Sequence, residues 1–294
     1  MSGLTLAVFL LAQAAPAVAP GSEVRAMTVT LLDEKGNEVT DVTASDVALV
    51  ENGVARDVIS FKPDRRPLSV AILVDSSAAV GSAYRLNVVD AVSGLVARLP
   101  EGARYAVWTT GDRPTKIQDL TDDRQAAGQV LRRVAPQGGN YVLDGVAEVA
   151  ADLRKSAREG TRTVVVVVTF TGPEFSSLDR WRAAEDGAKG VALFVGVLVE
   201  GGEADFEQRT NVHYTLDKIS SATGGRYETV LSAMGVDTAL RKASALLRAG
   251  YRLSYATVPD LKKRRLELSV ARPGTRALLP AETTRDAAPA APEL

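Results

Sequence analysis

The run Leu68 to Val74 is apolar except for Ser69, and it stops abruptly at Asp75-Ser76-Ser77. Pro67 bounds it on the other side. Such a run suits a strand buried on both faces, because a half-buried strand would alternate polar and apolar residues. Two later stretches have the same texture. Thr163 to Thr169 contains five consecutive valines, and Val191 to Val199 is apolar almost throughout. Strands this apolar belong to parallel sheets with helices on both sides. The polar residues that follow each run then fall at the carboxyl end of the strands, where open α/β sheets place their ligands.

Helical spacing separates these strands. Leu86, Val89, Val92, Leu95, Val96 and Leu99 recur on one face and end at Pro100. Thr121 with Asp122 and Asp123 reads as the cap of a helix carrying Val130, Leu131 and Val134, stopped by Pro136. Leu143, Val146, Val149, Ala150 and Leu153 mark another, followed by helices over 178–188, 216–222 and 236–247. The helix that closes on Thr223-Gly224-Gly225 has a glycine stop. Shorter strands are expected at 104–109 and 226–230. Repeated strand-then-helix units predict an α/β fold, a doubly wound and mostly parallel sheet with helices on both faces.

The two ends of the chain read differently. Residues 1–20 carry an apolar core from Leu4 to Leu11 and the small-residue sites Ala12-Gln13-Ala14 and Ala17-Val18-Ala19, the pattern of a secretory signal peptide without basic residues before Leu4. Residues 21–62 form a small β module. It has a turn at 33–37, a two-residue hairpin at Asn52-Gly53 and a returning strand over 54–61. After the α/β unit, 66–250, residues 251–280 predict a C-terminal β hairpin with strands at 251–257 and 264–271. This hairpin pairs with the N-terminal module to make a small β-sandwich from both chain ends. The Lys262-Lys263-Arg264-Arg265 run reads as its solvated turn. Residues 281–294, rich in Ala and Pro, read as a disordered tail.

Composition narrows the chemistry. The chain has 294 residues, a formal net charge of −1 and no cysteine, so thiol nucleophiles, thiolate metal sites and disulfides are excluded. Nothing in the charge balance points to nucleic acid. The single histidine, His213, would have to serve Ser76 or Ser77 in any Ser-His-Asp hydrolase, and no G-x-S-x-G elbow is present. The expectation is a protein that is not an enzyme.

With these residues laid out, the chain resembles the von Willebrand factor A-type domain family, and most closely its bacterial exported subgroup with flanking β segments. The likeness rests on PLSVAILVDSSAAV against a strand ending in D-x-S-x-S, and on Gly138-Gly139-Asn140-Tyr141-Val142-Leu143-Asp144 against a G-G-T segment. It rests also on VVVVVTFTG at 164–172 against a strand ending in T-D-G, and on Ala222-Thr223-Gly224-Gly225-Arg226. In the family, three loops at the carboxyl end of the sheet form a metal-ion-dependent adhesion site. There a hard dication such as Mg²⁺ takes about six oxygens and leaves a position for a partner's acidic group.

The resemblance places Asp75, Ser77 and Asn140 as the residues that would hold such a Mg²⁺-type ion. It also exposes departures. Ala79 stands at the second serine, Asn140 at the threonine, and Phe170 or Thr171 at the second aspartate. The expected site is therefore degenerate, with no cofactor beyond a weakly held divalent cation. The functional expectation is an exported, periplasmic or extracellular, non-catalytic module that binds another protein. It would do so through loops containing Asp75, Ser76, Ser77, Asn140, Tyr141, Phe170, Thr171 and Phe175. A metal-dependent adhesion module and a structural part of an envelope assembly are the alternatives.

Overall fold

The computed structural model describes residues 22–201, 204–259, 263–280 and 282–284. The expected leader at 1–20 and the tail beyond 284 lie outside the described residues. In chain order the first strands are β1 (Glu23–Leu32), β2 (Val47–Glu51), β3 (Val54–Arg56), β4 (Val58–Pro63), β5 (Leu68–Val74), β6 (Arg104–Thr109) and β7 (Thr115–Thr121). They are followed by β8 (Arg162–Phe170), β9 (Leu193–Val199), β10 (Arg226–Val230), β11 (Gly250–Thr257), β12 (Lys263–Val270), β13 (Arg276–Leu278) and β14 (Glu282–Thr284). The helices are α1 (Val89–Ala97), α2 (Ala126–Leu131), α3 (Val142–Ser156), α4 (Arg180–Ala188), α5 (Phe206–Thr223) and α6 (Gly235–Arg248).

The central sheet has the order β10-β9-β8-β5-β6-β7 and is parallel except for β7. Period-two alternation explains the unbroken apolar runs, since each face of the sheet has its own helix layer. Val70, Ile72, Val74, Val164, Val166 and Val168 pack in the core with α1, α2 and α6. Ala71, Leu73, Val165, Val167, Phe194 and Leu198 pack with α3, α4 and α5. The chain winds from β5 to β6 on one side and reaches β8 on the other, so the loops after β5 and β8 meet at the reversal point of the sheet.

The chain ends form two four-stranded sheets, β13-β1-β11-β4 and β14-β12-β2-β3. They enclose Val29, Leu31, Leu49, Phe61, Tyr251, Leu253, Tyr255 and Leu266, and the Phe61 and Tyr251 rings stack at 4.7 Å. Asn52 and Gly53 both have positive φ, as a two-residue hairpin of this type requires. Arg162, at the start of β8, joins the two units. It is buried, donates to the Leu247 carbonyl and lies 4.0 Å from Asp64, which pairs with Arg66 at 2.6 Å.

Several expectations need correction. The C-terminal strands do not make a hairpin: β11 pairs with β1 and β4, whereas β12 pairs with β2 in the opposite sheet. The expected single strand over 54–61 splits at Asp57, β3 staying with β2 and β4 crossing to β11. Within the basic run, Arg264 is fully buried rather than solvated, because it faces Glu51 at 2.9 Å. Residues Glu282–Thr284 of the expected tail form β14 against the start of β12. Thr121 ends an edge strand, β7, instead of capping a helix; its polar sequence concealed the strand, and α2 starts only at Ala126. Leu86 is exposed because a π-helical turn, Tyr84–Val88, shifts the register before α1.

Candidate functional site

Three segments converge at the carboxyl end of the central sheet: 75–80 after β5, 137–141 before α3 and 170–178 after β8. Asp75 is at their centre and is completely buried. Its Oδ1 accepts from the Ser77 N–H at 2.8 Å. Its Oδ2 accepts from the Phe170 N–H at 2.9 Å, the Thr169 hydroxyl at 3.1 Å and the Asn140 Nδ2 at 3.0 Å. Asn140 Nδ2 also donates to Thr169 Oγ1 at 2.8 Å, and Asn140 Oδ1 accepts from the Thr110 hydroxyl at 2.6 Å. The carboxylate dictates this orientation of the amide, because turning it over would set oxygen against oxygen. The Asn140 carbonyl therefore points away from Asp75.

Burial pushes the Asp75 carboxyl pKa up and outweighs the hydrogen bonds from Ser77, Phe170 and Thr169, which act downward. Among the described residues no cationic side chain pairs with it. Ser76 Oγ accepts from the Gly111 N–H at 2.9 Å, so this hydroxyl holds a neighbouring loop. Ser77 Oγ is buried and makes no hydrogen bond of regular geometry among the described residues, although the hydroxyl is near enough to Asp75 to favour its ionised form. Ala79 contributes a methyl group close to the backbone of Gly172, which keeps the first and third loops in contact.

The third loop is clamped to the N-terminus of α3. Glu174 accepts from the Val142 N–H at 3.3 Å and the Ser176 N–H at 3.1 Å, while Asp144 accepts from the Ser177 and Leu178 N–H groups, each at 2.9 Å. Carboxylates belong at a helix N-terminus. Burial of Glu174 nevertheless dominates and raises its pKa to about 7. Asn140 joins this clamp through its backbone, donating to the Pro173 carbonyl and accepting from the Phe175 N–H.

Of the eight residues expected to face a partner, Asp75, Ser76, Ser77, Asn140 and Thr171 are buried, and Tyr141 and Phe170 are half-buried. Only Phe175 is widely exposed, at 56%. The polar residues are held inward by each other's hydrogen bonds, and Phe170 packs against the core beneath. Sequence reasoning missed Thr110 and Thr169, whose threonines look like ordinary strand residues. It missed also the exposed aromatics Trp181 and Phe206, which open α4 and α5 at this same end. His213 contacts Tyr227 Oη at 2.6 Å and Glu200 at 3.2 Å, and among the described residues no hydrogen bond joins it to Ser76 or Ser77. The structure does not assemble a Ser-His-Asp triad from Ser76, Ser77 and His213.

Residues 70–172, which carry this centre, match the von Willebrand factor type A domain family. The α/β unit is von Willebrand A-like. A von Willebrand factor type A protein from Catenulispora acidiphila superimposes with a TM-score of 0.52 at 12% identity, over 90% of this chain and 74% of that one. Proximal thread matrix protein 1 from the mussel byssus, in a structure with a zinc-occupied MIDAS motif, gives a TM-score of 0.51 at 18% identity. That match covers 71% of this chain and 49% of the byssus protein, so this chain spans about half its length. At these identities the likeness is one of fold. No curated protein sequence matches the chain. Von Willebrand A-like modules are of the kind that mediates protein interactions, and among the described residues no helix is long and apolar enough to cross a membrane.

Proposed function

We propose that this protein is an exported, non-catalytic module that binds a protein partner through the carboxyl end of its von Willebrand A-like sheet, without a functional metal ion. The observation that carries this reading is the contrast at that end. Its polar centre is closed on itself, while Phe175, Trp181 and Phe206 are 56%, 59% and 85% exposed around it. Exposed aromatics on loops and helix starts favour contact with another protein over solvation.

The donor set does not fit a Mg²⁺-type ion. Such an ion needs several convergent oxygens and more than one negative charge. Here there is one carboxylate; its Oδ2 is taken by three donors, and the Asn140 carbonyl is turned to Thr110. The Asn140 amide nitrogen supplies the positive pole that an ion would have supplied. Ser77 Oγ, which lacks a hydrogen bond of regular geometry, is the one feature that favours the alternative, a metal-dependent adhesion module with a reduced ligand set.

The test is capture of partners from the periplasmic or extracellular fraction by immobilised protein, repeated with Phe175→Ser and Phe206→Ser. The reading expects a defined partner that both substitutions weaken and that chelator leaves bound. Capture that survives both substitutions, or that chelator abolishes, contradicts it.

A further inference from the structure

The first residue of α4, Arg180, is held in an unusual way. Its guanidinium carbon lies 4.2 Å from the centre of the Trp181 ring and 5.1 Å from that of Tyr214, and the two rings meet edge-on at 6.2 Å. Among the described residues its one side-chain hydrogen bond is long, from Nη1 to Asn211 Oδ1 at 3.4 Å. Its Nε is buried and unpartnered among the described residues, and it has no ion pair there. The neighbouring Arg182, by contrast, pairs with Asp186 at 2.7 Å. The nearest carboxylate in sequence, Asp179, is engaged as the cap of α4, accepting from the Trp181 and Arg182 N–H groups.

A guanidinium held against two aromatic rings, with Nε buried and Nη1 on Asn211, keeps its charge and its Nη2 donors for a carboxylate, to which the hydrogen bond is charge-assisted. Stacking also fixes the side chain before the partner arrives, which removes part of the entropy cost of binding. We propose that the partner presents an aspartate or glutamate, within an acidic segment that also carries apolar side chains, and that this carboxylate seats on Arg180 beside the exposed Trp181 ring. The proposal rests on the protein-binding reading above and names the chemistry of its partner. One uncompensated guanidinium matches the single charge of a carboxylate. A phosphate-rich surface would call for several convergent cations, and the formal net charge of −1 offers no general attraction for one.

The test uses fluorescein-labelled peptides that share leucines and phenylalanines and differ in carrying glutamate, glutamine or lysine, with fluorescence anisotropy as the readout. The glutamate peptide is expected to bind the full chain about tenfold or more tighter than the glutamine peptide. The difference should shrink with added salt. Arg180→Gln should erase it, and Arg180→Lys should restore only part of it, since a lysine keeps the charge but lacks the planar group that rests on the Trp181 and Tyr214 rings. Equal binding of the glutamate and glutamine peptides, absence of saturable glutamate-peptide binding, or an unchanged preference in Arg180→Gln overturns the proposal. If that happens while Phe175→Ser and Phe206→Ser still weaken partner capture, the carboxylate proposal alone falls. If capture ignores those two substitutions, the protein-binding reading falls with it.

Discussion

Among the described residues, the carboxylates of Glu51 and Asp75 are completely buried, and they are held in opposite ways. In the sandwich, Glu51 accepts from Arg264 at 2.9 Å, Arg56 at 2.8 Å, Tyr255 at 3.2 Å and the Thr257 hydroxyl. Burial pushes its pKa up, but the Thr257 and Arg264 hydrogen bonds and the Arg264 charge outweigh it, and the net shift is downward. At the loop end of the α/β sheet, Asp75 has only neutral donors, and there burial wins and the net shift is upward. The pair shows that at Asp75 neutral donors alone do not outweigh burial, whereas at Glu51 the Thr257 hydroxyl and the guanidiniums of Arg264 and Arg56 together do. In a von Willebrand A-like centre that cation would be the metal. In the metal-free reading proposed above, the Asn140 amide, which donates to Asp75 at 3.0 Å, stands in its place.

The strongest way to break this contrast is to remove the cation from the sandwich. Arg264→Met leaves Glu51 buried and without its main counter-charge, for which we expect a loss of about 3–5 kcal/mol in urea denaturation. Adding Glu51→Leu should recover most of it, because the lone charge is then gone. At the loop end, Asn140→Asp sets a second carboxylate against Asp75. We expect a loss of about 3 kcal/mol in chelator that millimolar Mg²⁺ partly reverses, read from thermal melts.

The pH dependence sharpens the contrast, because the two kinds of carboxylate give slopes of opposite sign. Glu51, with its pKa lowered, contributes stability that is present above its unfolded value and lost as pH falls through the folded one. Glu174 behaves in reverse. Its pKa rises from 4.5 to about 7, so the folded chain holds the proton more tightly and stability declines as pH rises through that interval. Glu174→Gln should flatten this decline, by at most about 3 kcal/mol across the interval, in denaturation curves taken between the two values. The smallest effect is expected at Leu86, which the π turn leaves 73% exposed. Leu86→Ser should change stability by less than about 0.5 kcal/mol, whereas a leucine on the buried stripe would cost far more.

Much of the fold could be read from the sequence because apolar runs and helical spacing report burial directly. The bounds of β6 and β10 and the glycine stop after α5 follow from such local signals. What escaped depended on partners distant in sequence. Nothing near Arg264 says that Glu51 lies beside it on the paired strand β2, so a buried ion pair read as a solvated turn. The polar strand β7 has no periodic signature, and the crossing at Asp57 is fixed by pairing with β11. At the site, the substitutions Ala79 and Asn140 were visible, but the direction in which the Asn140 amide points was not. That direction is set by Asp75 together with Thr110, just after β6, and Thr169, on β8, which flank β5 on either side. The exposed aromatics and the stacked Arg180 emerged only when α4 and α5 were seen side by side.

Calorimetric titration of the purified protein with Mg²⁺ and Mn²⁺ tests the central claim most directly. If the Asn140 amide occupies the role of the ion, no saturable heat appears through the millimolar range and Asp75→Ala makes no difference to the trace. Sub-millimolar binding that Asp75→Ala abolishes would contradict the account, and would make Ser77 Oγ a ligand.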